Sequence, residues 1–185
     1  MTSLSTYKTL FFLLSLFFLA TSCSKEESTL EQGSIVSVKI NGASEDLNQI
    51  ILNIEEVQLL IGSTNDVANW VSLETINTGL QNISNYNHEN QLTLVNSALI
   101  EAGKVQKIKL VLGDDNAAIV NGVKKTFENY SEALEISNLV PTTLDANKGY
   151  EFTMEIEADN SISISGNEIT FTPEMNTMMR HLNIR

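Results

Sequence analysis

The 185-residue chain carries 23 Asp and Glu against 11 Lys and Arg, a formal net charge of −12. Nucleic-acid binding rests on Lys and Arg meeting phosphates, so this balance argues against nucleic acid as a partner, and anionic membrane surfaces repel the protein as well. Its one cysteine, Cys23, excludes an internal disulfide.

At the start, Lys8 and the amino terminus precede an apolar run from Leu10 to Ala20, followed by Thr21, Ser22 and Cys23. A short positive region, an apolar core of roughly 7–15 residues and small residues before a cut site describe a secretory signal. The run is shorter than the roughly 20 apolar residues that a membrane span requires. Ala20-Thr21-Ser22-Cys23 resembles the bacterial lipobox, with Ala20 where that motif usually carries Leu. Ser24-Lys25-Glu26-Glu27 is similar to the acidic export tag of Bacteroidota lipoproteins, which sends them to the outer face of the outer membrane. The resemblance implies cleavage before Cys23, covalent lipid on its sulfur and a lipid-anchored protein facing the cell exterior. An ordinary cleaved signal with an incidental cysteine is the alternative. Residues 1–22 thus read as a lipoprotein signal peptide, 23–33 as an acidic tether and 34–185 as one folded domain. The polar stretch from Ser24 to Gln32, fully stretched, reaches about 30 Å.

Beyond Gly33 the pattern is almost entirely period two. Strands are expected at Ser34 to Ile40, Trp70 to Leu73, Val105 to Leu112 and Leu134 to Ile136. Between Ile50 and Ile61, Ile50, Leu52 and Ile54 alternate, then Val57, Leu59 and Ile61 alternate in the opposite phase. A bulge at Glu55-Glu56 accounts for the flip, since one inserted residue exchanges the faces of everything after it; a helix is the alternative. Gln91 to Glu101 includes a possible helical turn. Asn121-Gly122, between Ala118-Ile119-Val120 and Val123-Lys124-Lys125-Thr126-Phe127, is the strongest hairpin signal in the chain. A second hairpin turns at Gly166-Asn167 between Ser161–Ser165 and Glu168–Thr172.

Tyr150, Phe152, Met154, Ile156 and Ala158 share one face of a strand, with Glu151, Thr153, Glu155 and Glu157 on a solvated outer face. In the tail, Met175, Met178, Met179 and Leu182 stand at helical spacing, while a closing strand through His181 to Arg185 fits equally. Eight or nine strands with frequent turns give an all-β fold: a single antiparallel β-sandwich, Greek-key, immunoglobulin-like or transthyretin-like.

In order along the chain come Ser37-Val38-Lys39-Ile40, Ile51 to Leu59, Asn69-Trp70-Val71-Ser72-Leu73, Ala102 to Gly113, Val120-Asn121-Gly122-Val123 and Gly149-Tyr150. These blocks together resemble the Bacteroidota lipoprotein domain of unknown function 4382 over most of residues 34 to 172. The family usually has an Asp-x-Pro-type loop where this chain has Asn41-Gly42-Ala43-Ser44-Glu45-Asp46, and a Lys-Pro strand where it has Thr172-Pro173-Glu174. The resemblance brings no catalytic residue or ligand.

Catalytic patterns are absent from the sequence. No Ser sits in a Gly-x-Ser-x-Gly elbow, and the two histidines, His88 and His181, lack zinc-site spacing. Asp114, Asp115 and Asn116 are weak candidates for calcium, which takes six to eight oxygen ligands, but the same residue types are ordinary in tight turns. Stacking aromatics for carbohydrate are few. Trp70, Tyr86 and Tyr130 alone are candidates for display, with edge or core packing the competing role for Trp70. The expectation is a non-enzymatic, surface-anchored module that contacts a polysaccharide or a protein partner. A structural or adhesive subunit pairing through edge strands is the alternative, followed by a hydrolase using surface carboxylates.

Overall fold

The computed structural model describes residues 33–42, 49–62, 67–127, 133–136, 142–166 and 168–183. Fourteen strands lie among them, most in two sheets that face each other across one core. The four-stranded sheet contains β1 (Gly33–Asn41), β5 (Leu92–Glu101), β11 (Gly149–Ile156) and β14 (Met175–Leu182), in the order β14-β11-β1-β5. The larger sheet is built on β2 (Gln49–Gly62). On its edges lie β3 (Asn69–Leu73), β4 (Gly79–Asn82), β6 (Gly103–Leu112) and β7 (Ala117–Val120). Beyond these, β8 (Val123–Thr126) pairs with β7, while β9 (Ala133–Ile136) and β10 (Thr142–Leu144) pair with β6. A one-turn helix, α1 (Ala158–Ser161), leads into the hairpin of β12 (Ile162–Ser165) and β13 (Glu168–Phe171).

The sandwich expected from the alternating pattern is therefore present, with three corrections. The strand count exceeds eight or nine because strands such as β4 and β10, with 4 and 3 residues, are too short to show a period. One pair is parallel: β1 runs alongside β11 from Ile35↔Gly149 to Asn41↔Glu155. There is no helical turn within β5. Instead its register against β1 shifts twice, and Ser97 adopts a left-handed φ of 55°. The Ser97 N–H donates to Ser37 Oγ at 3.0 Å, and the irregularity lets the consecutive residues Leu94 and Val95 both face the core. The tail resolves as a strand, β14, which begins six residues before His181.

The phase flip in β2 is a bulge. Ile54 pairs with Leu112 and Glu56 with Val111, so Glu55 is the extra residue. Ile50, Leu52 and Ile54 before it, and Val57 and Leu59 after it, are all fully buried. Opposite them in the core stand Val36, Val38 and Ile40 of β1 and Tyr150, Phe152, Met154 and Ile156 of β11. The Phe127 and Phe171 rings stack at 4.6 Å, joining the β12–β13 hairpin to the segment after β8.

Both expected hairpins form. Val120 pairs with Val123 around Asn121 (φ 50°) and Gly122 (φ 78°), and Ser165 pairs with Glu168 around a turn whose Gly166 has φ 63°. Beyond its two chain neighbours, nothing lies within 4 Å of where a Cβ on Gly122 would sit, so only the backbone conformation opposes a side chain there. Gly122→Ala is expected to cost about 1 kcal/mol, read as a lower urea midpoint with an unchanged slope.

Candidate functional site

Alternation along β11 turns Tyr150, Phe152, Met154 and Ile156 inward and leaves Glu151, Thr153 and Glu155 on the outer face of the four-stranded sheet. Parallel pairing sets Ser37, Lys39 and Asn41 of β1 beside Glu151, Thr153 and Glu155. Antiparallel pairing sets Arg180, Met178 and Asn176 of β14 beside the same three residues on the other side. Glu151 is thus the middle of a three-strand charge ladder. Its Oε2 meets Lys39 Nζ at 2.9 Å and its Oε1 meets Arg180 Nη2 at 2.7 Å.

The sequence reading of Glu151 as a solvated acid is corrected here: its side chain is 6% exposed, against 26% for Lys39 and 65% for Arg180. Burial pushes its pKa up, but the hydrogen bonds and charges of Lys39 and Arg180 outweigh that and hold it below the usual 4.5. With both oxygens engaged by cations, Glu151 is a poor proton donor and a firm anchor for the two side chains.

A loop closes one end of this face. After the 3₁₀ turn Ile83–Asn85, Asn87 Oδ1 accepts the N–H groups of Glu89 and Asn90, and Asn87 N–H donates to the Asn90 carbonyl. The Gly42 N–H donates to the Tyr86 carbonyl. From this self-held turn His88 Nε2 reaches Glu155 Oε1 at 3.1 Å. Because β1 separates β5 from β11, the loop has to cross the exit of β1 to make that contact. Asn41, at that exit, is fully buried, and neither its Nδ2 nor its Oδ1 has a hydrogen-bond partner. Between loop and β14 runs a groove of about 330 Å³, lined by His88, Gln91, Glu151, Thr153, Met178, Met179 and Arg180.

A second depression, about 440 Å³, lies where β11 begins and β14 ends, lined by Asp145, Asn147, Lys148, Gly149, His181, Leu182 and Asn183. Backbone groups along it serve the turn. The Asp145 N–H donates to the Tyr150 hydroxyl, the Asp145 carbonyl accepts from Ser34 Oγ, and the Asn147 N–H donates to the Gly33 carbonyl. The His181 and Tyr150 ring centroids lie 5.0 Å apart. The outer-face groove, with its exposed cation over a buried acid, is the stronger candidate despite its smaller volume.

Asp114, Asp115 and Asn116 are placed elsewhere, in the turn between β6 and β7. There β2 passes from β7 to β6, and on that edge Asn53 is left without a strand opposite. The loop fills the gap: the Asn53 N–H donates to Asn116 Oδ1 at 2.8 Å, and its carbonyl accepts from the Gly113 N–H at 2.8 Å. Asn116 Nδ2 donates to the Gly113 carbonyl and Asn53 Nδ2 to the Asp114 carbonyl. The carboxamide oxygen that a calcium ion would draw on is thereby engaged with backbone. Among the described residues no group of three or more His, Cys, Asp or Glu converges as a metal site.

Trp70 is 37% exposed with Lys109 Nζ 4.0 Å from its ring centroid, an edge-packing role, and Tyr86 packs partly buried against the core. Tyr130, Cys23, Ser24, Lys25, Glu26 and Glu27 lie outside the described residues. Sequence reasoning passed over Lys39, Arg180 and Asn41. The period-two phase of β1 places Lys39 and Asn41 outward, but only the pairing of remote strands gathers them around Glu151 and Glu155.

The model of a family described as a domain of unknown function (DUF4382) matches residues 33–173. No curated protein and no solved structure matches the chain.

A carboxylate whose folded pKa is depressed contributes stability that is present above its ordinary value and lost as pH falls through the folded one. Unfolding midpoints of the wild type should therefore drop as pH falls below 4.5, and Glu151→Gln should blunt that drop while costing about 1–3 kcal/mol at pH 7. Asn41→Leu, a near-isostere without polar atoms, should raise stability by about 1–2 kcal/mol, since two buried groups no longer lack partners. A loss of stability on thermal unfolding would show that the carboxamide is satisfied in solution.

Proposed function

The chain belongs to the DUF4382 family, and from that premise we propose that it is a lipid-anchored surface protein of the outer membrane whose sandwich binds a ligand without transforming it. The anchor reading is supported by Ala20-Thr21-Ser22-Cys23 and by the acidic residues that follow in Ser24-Lys25-Glu26-Glu27. One acyl chain holds a protein only reversibly, and two or more hold it firmly. Since the net charge of −12 is repelled by anionic lipid, the acyl groups supply the attachment. The stretch from Cys23 to the start of β1 at Gly33 gives a reach of about 30 Å from the bilayer.

One observation carries the binding reading. The groove on the four-stranded sheet holds a cation oriented by a buried acid, beside Thr153, Gln91 and His88, and no nucleophile is paired with a base there. Groups of this kind recognise; a hydrolase needs an acid that can change protonation, and Glu151 is held ionised. The partner is a polysaccharide or a protein at the cell surface. A structural role is the second reading, favoured by β14: over its 8 residues, in unbroken register, it pairs with β11 alone among the described residues. Such an edge is a template for another strand.

Cys23→Ser tests the anchor. The variant should lose its lipid by mass spectrometry and leave the membrane fraction, and protease added to intact cells should degrade the wild type. Retention of the variant in the membrane would overturn the lipoprotein reading. Discrete oligomers by light scattering of the purified protein would favour the structural role over the binding one.

A further inference from the structure

We infer that the outer-face groove recognises a small hydroxylated carboxylate, a sugar acid or hydroxy acid, with Arg180 as the group that reads the carboxylate. The inference rests on the binding reading above and names the chemistry of its ligand.

The charge around the groove is the first argument. The chain as a whole stands at −12, yet this surface gathers Lys39 and Arg180 around Glu151, the one carboxylate that lines the groove. Glu155 nearby is faced by His88. Lys39 and Arg180 balance Glu151 and Glu155, so this face is locally neutral on a protein that is otherwise strongly acidic. A small anion meets less repulsion here than over the rest of the surface.

The state of Arg180 is the second. A guanidinium carries five N–H donors in a planar fork, which matches a carboxylate in bidentate fashion. Glu151 does not use that match, because its other oxygen goes to Lys39, and Arg180 touches it through Nη2 alone. The short contact at 2.7 Å fixes the guanidinium, and 65% of the side chain stays open to solvent. An oriented guanidinium with donors left over has little ordering entropy to lose on meeting a second carboxylate.

The remaining lining sets the rest of the ligand. Thr153 and Gln91 present hydroxyl and carboxamide groups, which both donate and accept, as hydroxyls of a polyol require. Met178, 51% exposed, offers an apolar surface for the carbon skeleton. The volume, about 330 Å³, is at the small end of ligand sites, suited to one sugar-sized unit.

Isothermal titration calorimetry on the full lipidated chain in neutral detergent tests this with three probes: D-glucuronate, D-glucose and acetate. Glucuronate should bind with saturable one-to-one heat that weakens as salt rises; glucose, which lacks the carboxylate, and acetate, which lacks the hydroxyls, should bind more weakly. Arg180→Gln should lose at least about tenfold in affinity, with Arg180→Lys between it and the wild type. Thr153→Val and Gln91→Ala, which leave the ion pairs in place, should weaken glucuronate and leave acetate unchanged; they test the site if Arg180→Gln fails to fold. Glucuronate binding no tighter than glucose, or unaffected by every one of these variants, overturns the inference. Tight binding of a neutral glycan, abolished by Gln91→Ala, would refute the carboxylate while leaving the binding reading standing. A native protein that captures no glycan or peptide by any groove residue would sink both.

Discussion

The larger sheet depends on one strand keeping its apolar face toward the core through a change of phase. Four strands, β3, β4, β6 and β7, take their registers from β2, two on each edge. Were its alternation unbroken across Glu55, either Ile50, Leu52 and Ile54 or Val57 and Leu59 would face solvent. The bulge removes that conflict at the place where the edges also change hands. On one side Ile54 pairs with Gly79 of β4 and Val57 with Leu73 of β3, and the Thr75 hydroxyl accepts the Val57 N–H at 2.9 Å. On the other side Asn116 and Gly113 serve Asn53 in the same way. Side chains and loop amides thus complete a ladder that strands alone leave open, as buried backbone groups require.

With the core secured by β2, the second sheet is free to specialise on its outer face. Its parallel β1–β11 pair is what makes this possible. Parallel register puts Lys39 one step along from Ser37, which stands beside Glu151, close enough for the ammonium to reach across to the carboxylate. β14 then delivers Arg180 directly opposite the same acid. Three segments far apart in the chain meet at a single carboxyl group, which fixes two long cationic side chains that would otherwise sample many rotamers.

How much of this was legible follows from the range of each interaction. The two hairpins and the β2 bulge are written in neighbouring residues: Asn121-Gly122, Gly166 and the doubled Glu55-Glu56 state their own geometry. The tail was ambiguous because Met175, Met178, Met179 and Leu182 fit a helix by spacing, and only docking on β11 decides for a strand. In β5 the adjacent apolar residues Leu94 and Val95 break a simple alternation, and the left-handed Ser97 that explains them leaves no compositional mark. Glu151 was misread because alternation shows which face a residue occupies but not what stands beside it there. Its burial comes from Lys39, Arg180 and the loop that carries His88, all set by long-range register. Asn116 stands in the turn between β6 and β7, yet its service to Asn53 required knowing where β6 ends against β2.

The charge ladder itself argues that the outer face is more than a stable surface. A buried ion pair is weak ground for stability, because desolvation offsets most of the attraction and well-packed apolar groups do as well. The same sheet demonstrates the alternative one row away, where Leu99, Ile35, Gly149 and Leu182 stand across its four strands at equivalent outward positions. The fold therefore accepts apolar residues on this face, and nothing in strand pairing demands Glu151 and Arg180 in the next row or Lys39 in the one after it. What the ladder supplies that an apolar row does not is a guanidinium held in place and open to water. Asn41 stands on the same face, buried with neither polar atom of its carboxamide partnered. Two features that folding alone does not favour lie on one face of one sheet, one row lining the groove and the other beneath the loop that closes its end. The binding proposed above would draw on the open guanidinium of the first.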